Sequence, residues 1–197
     1  MAASSDAEPG RRERKKAATR LALSTAALRL FFERGFDGVT VREIAEAADV
    51  STTTLMKHFP TKEALVFDRD DEIERSIVAA VTERAPGVAV LEALRRHMRE
   101  RVAFAEQGGL FPKFMKLVSS TPALTDHWRK IWVRHEHALA KVLVAESDRS
   151  EPWCRAMAHF VLEAYALAAL SSEGTHTVDE AFDILEHGWR GRPRGGE

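Results

Sequence analysis

Hydrogen-bonding and basic side chains are concentrated in and just after the stretch TVREIAEAADVSTTTLMKHF, which runs from Thr40 to Phe59. Threonine, arginine, lysine and histidine are side chains that contact phosphates and base edges when a helix enters the major groove of DNA. We expect the groove to be contacted by Arg42, Thr52, Thr53, Thr54 and Lys57. We expect phosphates to be held by Thr40, His58 and the backbone amide at Lys62.

Two short helices joined by a tight turn would position these side chains. Thr40 followed by Glu43 predicts a capping box at the start of the first helix, because each side chain can satisfy a backbone amide of the other residue. Asp49 ends that helix at a position that favours a left-handed conformation, which aspartate tolerates. In the second helix, Leu55 and Phe59 are four residues apart and point into one core. The opposite face is left free for DNA, which predicts a helix-turn-helix motif.

An ordinary pair of packed helices with a polar outer face would share much of this pattern. The flanking sequence favours the DNA-binding interpretation, because Gly35-Phe36-Asp37-Gly38 ends a long preceding helix and Pro60 interrupts the chain afterwards. The whole stretch from Ala26 to Val66, AALRLFFERGFDGVTVREIAEAADVSTTTLMKHFPTKEALV, resembles the N-terminal DNA-binding domain of TetR-family transcriptional regulators.

This resemblance implies a ligand-responsive transcriptional regulator that binds double-stranded DNA as a homodimer. It also implies a repressor that is released from a palindromic operator when a small molecule binds the C-terminal domain. Many family members have tyrosine where this chain has Met56, and that tyrosine often contacts a phosphate. Met56 cannot make the same hydrogen bond, so the chain departs from the family pattern at this position.

The composition favours an all-α fold. The 197 residues are 45% hydrophobic and 30% charged, with only 7 prolines and 11 glycines, and alternation of β-branched residues is nearly absent. No apolar run reaches the roughly 18 residues of a membrane-spanning helix, and no apolar segment follows the basic N-terminus. We therefore expect a cytoplasmic protein without membrane association. Cys154 is the only cysteine, which excludes an intrachain disulfide.

The charge is unevenly distributed along the chain. The net charge is −1, but residues 1–62 contain 11 Lys and Arg against 8 Asp and Glu, and the remainder contains 18 against 22. Much of the positive charge lies in one short run that contains Arg11, Arg12, Arg14, Lys15, Lys16 and Arg20. This run is placed where the first helix of such a domain approaches the DNA backbone, although a solvated terminal tail would also be charged.

The periodicity predicts a TetR-like fold of about nine helices in two domains. We expect a disordered tail over 1–10, a three-helix DNA-binding domain over 11–66, a helical bundle for ligand binding and dimerisation over 67–190, and a frayed tail over 191–197. A long helix over 62–84 should connect the domains. The remaining helices are predicted at 88–107, 110–119, 122–146, 152–172 and 177–189.

Aromatic and apolar side chains in the middle of the second domain predict an effector site. The candidates are Phe104, Phe111, Phe114, Met115, Val118, Trp128, Trp132 and Phe160, with His135 and Tyr165 as polar groups. Their helical spacing lets two stripes face each other across a space, although such stripes also form ordinary core. A lipophilic molecule or an acyl thioester would suit these walls. The segment that begins FPKFMKLVSS is similar to family members some of which respond to acyl-CoA thioesters.

The predicted helix over 152–172 is apolar on nearly all sides. One face can pack within its own domain, and the other then needs a partner, which with 177–189 predicts a homodimer interface. A central core helix surrounded by its neighbours would have the same composition.

The sequence offers no sign of catalysis, of a cofactor or of a metal site. Residues two apart on a helix point about 200° away from one another, so His135-Glu136-His137 cannot share one ion. No nucleophile elbow, phosphate-binding loop or dinucleotide fingerprint is present. The alternative to a regulator is a helical small-molecule binding or scaffold protein without DNA function, in which the helix-turn-helix is purely structural.

Overall fold

The computed structural model describes residues 10–171 and 173–188, and these form nine α-helices, one 3-10 helix and no strand. The helices are α1 Arg11–Arg34, α2 Val41–Ala47, α3 Thr52–His58, α4 Asp70–Thr82, α5 Val90–Gly108, α6 Phe111–Ser120, α7 Pro122–Ala145, α8 Glu151–Leu170 and α9 Thr175–His187. The fold is all-α, as the sequence predicts. The predicted frayed tail and all but Gly10 of the predicted N-terminal tail lie outside the described residues.

A first core, here called the N-terminal core, holds α1, α2 and α3 together. Phe31, Ile44 and Leu55 are its centre, and each is at most 1% exposed. Two further helices extend this core, because Leu117 of α6 and Leu124 of α7 are buried in the same cluster. The N-terminal domain is therefore packed against part of the second half of the chain, through α1 on α6 and through the segment after α3 on α7.

The predicted helix over 62–84 is wrong at its N-terminal end. The chain instead forms a short 3-10 helix over Glu63–Leu65, followed by turns, and α4 begins only at Asp70. Leu65 and Val66 are both buried in the N-terminal core, and Phe67 packs against it. Consecutive residues of an α-helix point about 100° apart, so a regular helix could not bury all three on one side.

A second core, here called the C-terminal core, is built from α4, α5, α7, α8 and α9. Met98, Leu139 and Phe182 are fully buried in it. Small residues on α8, including Ala158 and Ala164, are also buried and let neighbouring helices approach closely. The bounds of α5 to α9 agree with the sequence prediction to within two residues at each end.

No helix among the described residues is long and apolar enough to cross a lipid bilayer.

Candidate DNA-binding surface and effector site

The predicted capping box at the start of α2 is present. The Thr40 amide donates to Oε2 of Glu43 at 2.8 Å, and the Glu43 amide donates to the Thr40 hydroxyl at 3.3 Å. Hydrogen bonds from the Thr40 hydroxyl and amide, with further help from Arg34, lower the pKa of Glu43 to about 2. Since Arg34 also donates to the Gly38 carbonyl, this network fixes the angle between α1 and α2.

The turn between α2 and α3 has the predicted geometry. Asp49 adopts φ 53°, and it is the only residue other than glycine with positive φ among those described. The Val50 amide then bonds the Ala45 carbonyl at 3.0 Å. Ser51 caps α3 by accepting a hydrogen bond from the Thr54 amide at 3.1 Å. With this turn, the N-terminal end of α3 is exposed while the inner face of α3 packs on the N-terminal core.

The outer face of α3 exposes much of the predicted DNA-contact set. Thr52, Thr53 and Lys57 are exposed, and Met56 beside them is 45% exposed. His58 and Thr54 are half-buried, and the Thr54 hydroxyl lies 2.9 Å from Oγ of Ser51. On α2, Arg42 is exposed and pairs only loosely with Glu46, at 3.7 Å.

Lys62 is directed inward. Its ammonium donates to the Phe36 carbonyl and lies 4.1 Å from the centre of the Phe36 ring. Burial lowers the pKa of Lys62. The side chain thus holds the turn after α1 against the 3-10 helix, and a phosphate contact at this position would fall to the backbone amide, as predicted from the sequence.

Arg20 of α1 connects three parts of the N-terminal domain. Its guanidinium pairs with the Asp68 carboxylate, donates to the His58 carbonyl at 3.2 Å and lies 4.5 Å from the centre of the Phe59 ring. It therefore joins α1 to the end of α3 and to the segment before α4. The sequence indicated only a basic residue in a basic run, because Asp68 is 48 positions away.

Five of the predicted effector residues lie in one continuous series of ring contacts, here called the aromatic column. It consists of Phe67, Phe111, Phe114, Trp128, Trp132 and Tyr165, with neighbouring ring centres 4.9 to 6.3 Å apart. The column runs from α6 across α7 to α8. Phe67, between the 3-10 helix and α4, is the one member that the sequence pattern did not indicate as an effector residue.

Other members of the predicted effector set lie elsewhere. Phe104 is 67% exposed on α5, and Phe160 is 54% exposed on α8. Val118 is buried in the N-terminal core, while Met115 is half-buried on α6. Phe160 instead borders an open groove of about 560 Å³ between α7 and α8, in which His159 bonds Glu136 at 3.1 Å.

His135 and Arg101 each place an unpartnered polar atom beside the aromatic column. His135 is 2% exposed, its Nε2 lies 2.8 Å from Oδ1 of Asp70, and its ring centre is 6.1 Å from that of Trp132. Its buried Nδ1 and the buried Nε of Arg101 have no hydrogen-bond partner among the described residues. The guanidinium of Arg101 lies 4.7 Å over the Tyr165 ring.

The protonation state of His135 determines whether its unpartnered Nδ1 is a hydrogen-bond donor or an acceptor. Burial is the main cause that lowers the pKa of His135, so the ring is neutral near pH 7. The bond to the Asp70 carboxylate places the proton on Nε2, which leaves Nδ1 as an acceptor. Arg101 Nε–H is a donor. A group bound at His135 Nδ1 would therefore have to be a donor, and a group bound at Arg101 Nε would have to be an acceptor.

Two surface groups on α9 and the turn before it bring possible metal ligands together. One consists of Glu173, His176 and Glu180, and the other of Asp183, Glu186 and His187, all of them exposed. In the segment His135-Glu136-His137, the first side chain bonds Asp70, the second bonds His159 and the third is exposed. These three therefore point to different surroundings.

Comparison with known proteins agrees with this architecture. Residues 23–68 match the family described as bacterial regulatory proteins, tetR family. The chain is 33% identical over 144 residues to the HTH-type transcriptional regulator TcmR of Streptomyces glaucescens, across 70% of this chain and 64% of TcmR. It is 34% identical over 121 residues to the HTH-type transcriptional regulator RutR of Escherichia coli K12, across 59% of this chain and 56% of RutR.

The fold also matches solved structures across nearly the whole chain. Thermus thermophilus FadR, a TetR family transcriptional repressor in complex with lauroyl-CoA, superposes with a TM-score of 0.57 at 24% identity, over 90% of this chain and 98% of FadR. The match to the curated regulators is shorter, since this chain spans less than two thirds of their length. The helix-turn-helix and these matches together identify residues 23–68 as a DNA-binding domain of the TetR family, and the nine helices of the described residues share the fold of solved TetR-family structures.

Proposed function

We propose that this protein is a repressor that binds a palindromic operator as a homodimer and is released by a small lipophilic effector. The observation that carries the DNA-binding part is the division of α3 into two faces. Leu55 is fully buried, while Thr52, Thr53 and Lys57 are exposed on the outer side. A short helix that is anchored along one side and polar along the other suits the major groove.

Positive charge on α1 supports the same proposal. The exposed start of α1 contains Arg11, Arg12, Lys15 and Lys16 in six residues. Lysine and arginine near DNA displace condensed counterions, which gives affinity that does not depend on sequence. The outer face of α3 and Arg42 would then supply the sequence-dependent contacts, while α1 contacts the backbone.

An electrophoretic shift with the DNA that flanks its own gene tests DNA binding. The parent should shift one fragment, and Thr53→Ala/Lys57→Ala should lose that shift. Lys130→Ala, at an exposed position on α7, is the matched control and should bind like the parent. If the double variant binds as tightly as the parent, α3 is not the recognition helix. If the parent shifts no fragment, the scaffold alternative is favoured.

The outer face of α8 supports a homodimer. Phe160, Leu167 and Leu170 are 54%, 53% and 67% exposed, and Ile184 on the neighbouring α9 is 56% exposed. Exposed apolar side chains that lie close together on one surface mark an interaction site. A second copy of this chain is the occupant that a palindromic operator requires, because two recognition helices must be held at a fixed spacing.

The aromatic column supports a lipophilic effector. Its rings offer a large apolar surface beside the unpartnered atoms of His135 and Arg101, and binding sites combine apolar walls with a few oriented polar groups. FadR, which shares the fold, is described with lauroyl-CoA bound. A guest would enter by separating side chains of the column, with Trp128 and Trp132 in contact with it.

Release of DNA requires the effector to prefer the arrangement that cannot bind DNA. A tenfold loss of operator affinity needs about 1.4 kcal/mol of that preference. Asp70, in the first turn of α4, is bonded to both His135 and Arg134 of α7. A guest that moves His135 therefore shifts the start of α4, and with it the segment that joins the two cores.

Titration with lauroyl-CoA while tryptophan fluorescence is recorded tests the effector site. Emission should change in the parent, and the change should shrink in Trp128→Phe and Trp132→Phe. Trp153→Phe, at a 42% exposed position on α8, is the matched control and should keep the response. In parallel, lauroyl-CoA should release the shifted DNA. If emission and DNA binding both stay constant with lauroyl-CoA and with free fatty acids, the lipophilic effector is excluded.

A further inference from the structure

The outer face of α3 has only one of the side chains that usually identify purines by paired hydrogen bonds, which is Lys57. The helix has the sequence TTTLMKH, without arginine, asparagine or glutamine. Arginine and lysine bind guanine, and asparagine and glutamine bind adenine, through two contacts at the base edge. Only Lys57 in this helix has a comparable reach. Base discrimination by α3 must therefore depend largely on other chemistry.

The threonine hydroxyls provide part of that chemistry, but not all three are available. The Thr54 hydroxyl is engaged with Oγ of Ser51 at 2.9 Å. Those of Thr52 and Thr53 have no hydrogen-bond partner among the described residues and are exposed. Each of these side chains also presents a methyl group beside its hydroxyl. The exposed part of the helix thus mixes short polar groups with small apolar ones.

Met56 makes the same surface distinctly apolar. It is 45% exposed on a helix whose other apolar residue, Leu55, is fully buried. Methionine is flexible and polarisable, so it adapts to irregular apolar surfaces. Positions 52, 53, 56 and 57 lie within one and a half turns, and the four-residue separation from 52 to 56 corresponds to about 6 Å along the axis. That length is similar to about two base-pair steps of DNA.

We infer that Met56, with the methyl groups of Thr52 and Thr53, packs against thymine C5-methyl groups, so that each half-site is read partly as a pattern of thymine methyls. This inference rests on the proposed function, in which α3 enters the major groove. The thymine methyl is the one apolar group that a base pair presents there. Lys57, at the adjacent position, would contact a neighbouring guanine or a phosphate.

Replacement of thymine by uracil isolates this contact. Uracil lacks only the C5-methyl group, and it keeps the O4 acceptor and the phosphate backbone. A phosphate contact or a hydrogen bond to O4 would therefore be unaffected by the replacement. Removing one buried methyl should weaken binding about fourfold, which corresponds to about 0.8 kcal/mol.

The experiment uses duplexes enriched from a random pool by the full chain. Each enriched duplex is resynthesised with one thymine at a time replaced by deoxyuridine, and affinity is measured at constant salt. We expect one or two thymine positions in each half-site at which uracil weakens binding about fourfold. Met56→Leu should keep this dependence, because it remains apolar. Met56→Gln should remove it, although the side chain has the same length.

Lys57→Ala is the control for a general loss of affinity. It should weaken binding to every duplex and keep the difference between thymine and uracil. The inference is overturned if no thymine position is sensitive in the parent, or if Met56→Gln is as sensitive as the parent. If the parent enriches no duplex, the proposed DNA binding fails together with the inference. Enrichment without methyl dependence removes the inference alone.

Discussion

Nε2 of His135 lies 2.8 Å from Oδ1 of Asp70, and this contact joins the middle of α7 to the first turn of α4. The histidine is 2% exposed, and its lowered pKa keeps it neutral, so it donates a hydrogen bond to the carboxylate. Arg134 of α7 pairs with the same carboxylate and also with Glu74 at 2.7 Å. The start of α4 is therefore tied to α7 at the place where the chain enters the C-terminal core.

Asp70→Ala should lower the free energy of unfolding by about 1.5–3 kcal/mol, because a buried hydrogen bond to a charged group is lost and His135 keeps an unsatisfied donor. Urea denaturation measures the change. Asp71→Ala is the matched control, because that side chain is 83% exposed and touches Arg134 only at 3.3 Å. The control should change stability by less than about 0.5 kcal/mol. Equal losses in both variants would mean that the contact with His135 contributes nothing.

Local sequence patterns predicted the helix-turn-helix well because its determinants are close in sequence. Thr40 and Glu43 are three residues apart, and Asp49 occupies a turn whose backbone conformation few residue types accept. The five C-terminal helices were also predictable, because glycine and proline mark most of their ends. For example, Gly109 adopts the left-handed conformation at the end of α5.

Contacts across long sequence distances were not predictable. Asp70 and His135 are 65 residues apart, and no helical periodicity pairs them. The same holds for the contact of Arg101 with the Tyr165 ring, since the sequence indicated Tyr165 but not Arg101. The break before α4 was missed because the apolar spacing that continues beyond Leu65 suits a helix. That spacing cannot reveal that Leu65 and Val66 are both buried in the N-terminal core, which is what breaks the helix.

Leu167→Glu should convert a homodimer into a monomer. Leu167 is 53% exposed in the row of apolar residues on α8, and a buried unpaired carboxylate in an interface is strongly unfavourable. Light scattering of the purified protein measures the mass. Because the side chain is exposed in the single chain, circular dichroism should show unchanged helix content.

Leu110→Glu is the matched control for dimerisation. Leu110 is 56% exposed at the start of α6, and the substitution introduces the same charge far along the chain from α8. Its mass should equal that of the parent. A dimeric mass for Leu167→Glu would place the interface on another surface, and a monomeric mass for both variants would point to general destabilisation.

His97 should make the protein less stable as the pH falls. Burial, with a smaller contribution from Arg101, lowers the pKa of His97 to about 4. Between the usual histidine pKa of about 6.5 and that value, the unfolded chain binds more protons than the folded one. The free energy of unfolding therefore decreases as the pH falls from about 6.5 to about 4 and levels off below. His135 contributes in the same direction.

Urea denaturation at about pH 7 and about pH 5 measures this dependence. His97→Gln should reduce the difference in stability between the two pH values, because glutamine does not titrate. His176→Gln, at a 65% exposed position, is the matched control and should keep the parental difference. A His97→Gln variant with the full parental difference would assign the pH dependence to other groups.

Arg20 should act as a clamp within the protein, and the comparison of two substitutions distinguishes that role from a DNA contact. Its guanidinium is already engaged by Asp68, the His58 carbonyl and the Phe59 ring. Lysine keeps the charge but cannot donate in several fixed directions at once. Arg20→Ala and Arg20→Lys should therefore both lower the free energy of unfolding, by about 1–3 kcal/mol for alanine.

If Arg20 is a clamp, operator affinity should fall in both Arg20→Ala and Arg20→Lys in proportion to their loss of stability, because the clamp holds the end of α3 in place. If Arg20 instead contacted a phosphate, Arg20→Lys would keep most of the affinity and Arg20→Ala would lose it, with little change in stability for either. Arg12→Ala, at an exposed position in the first turn of α1, provides the contrast. Arg12→Ala should leave the urea midpoint unchanged, because the Arg12 side chain acts on DNA only through its charge. It should also reduce the slope of log affinity against log salt concentration by about one.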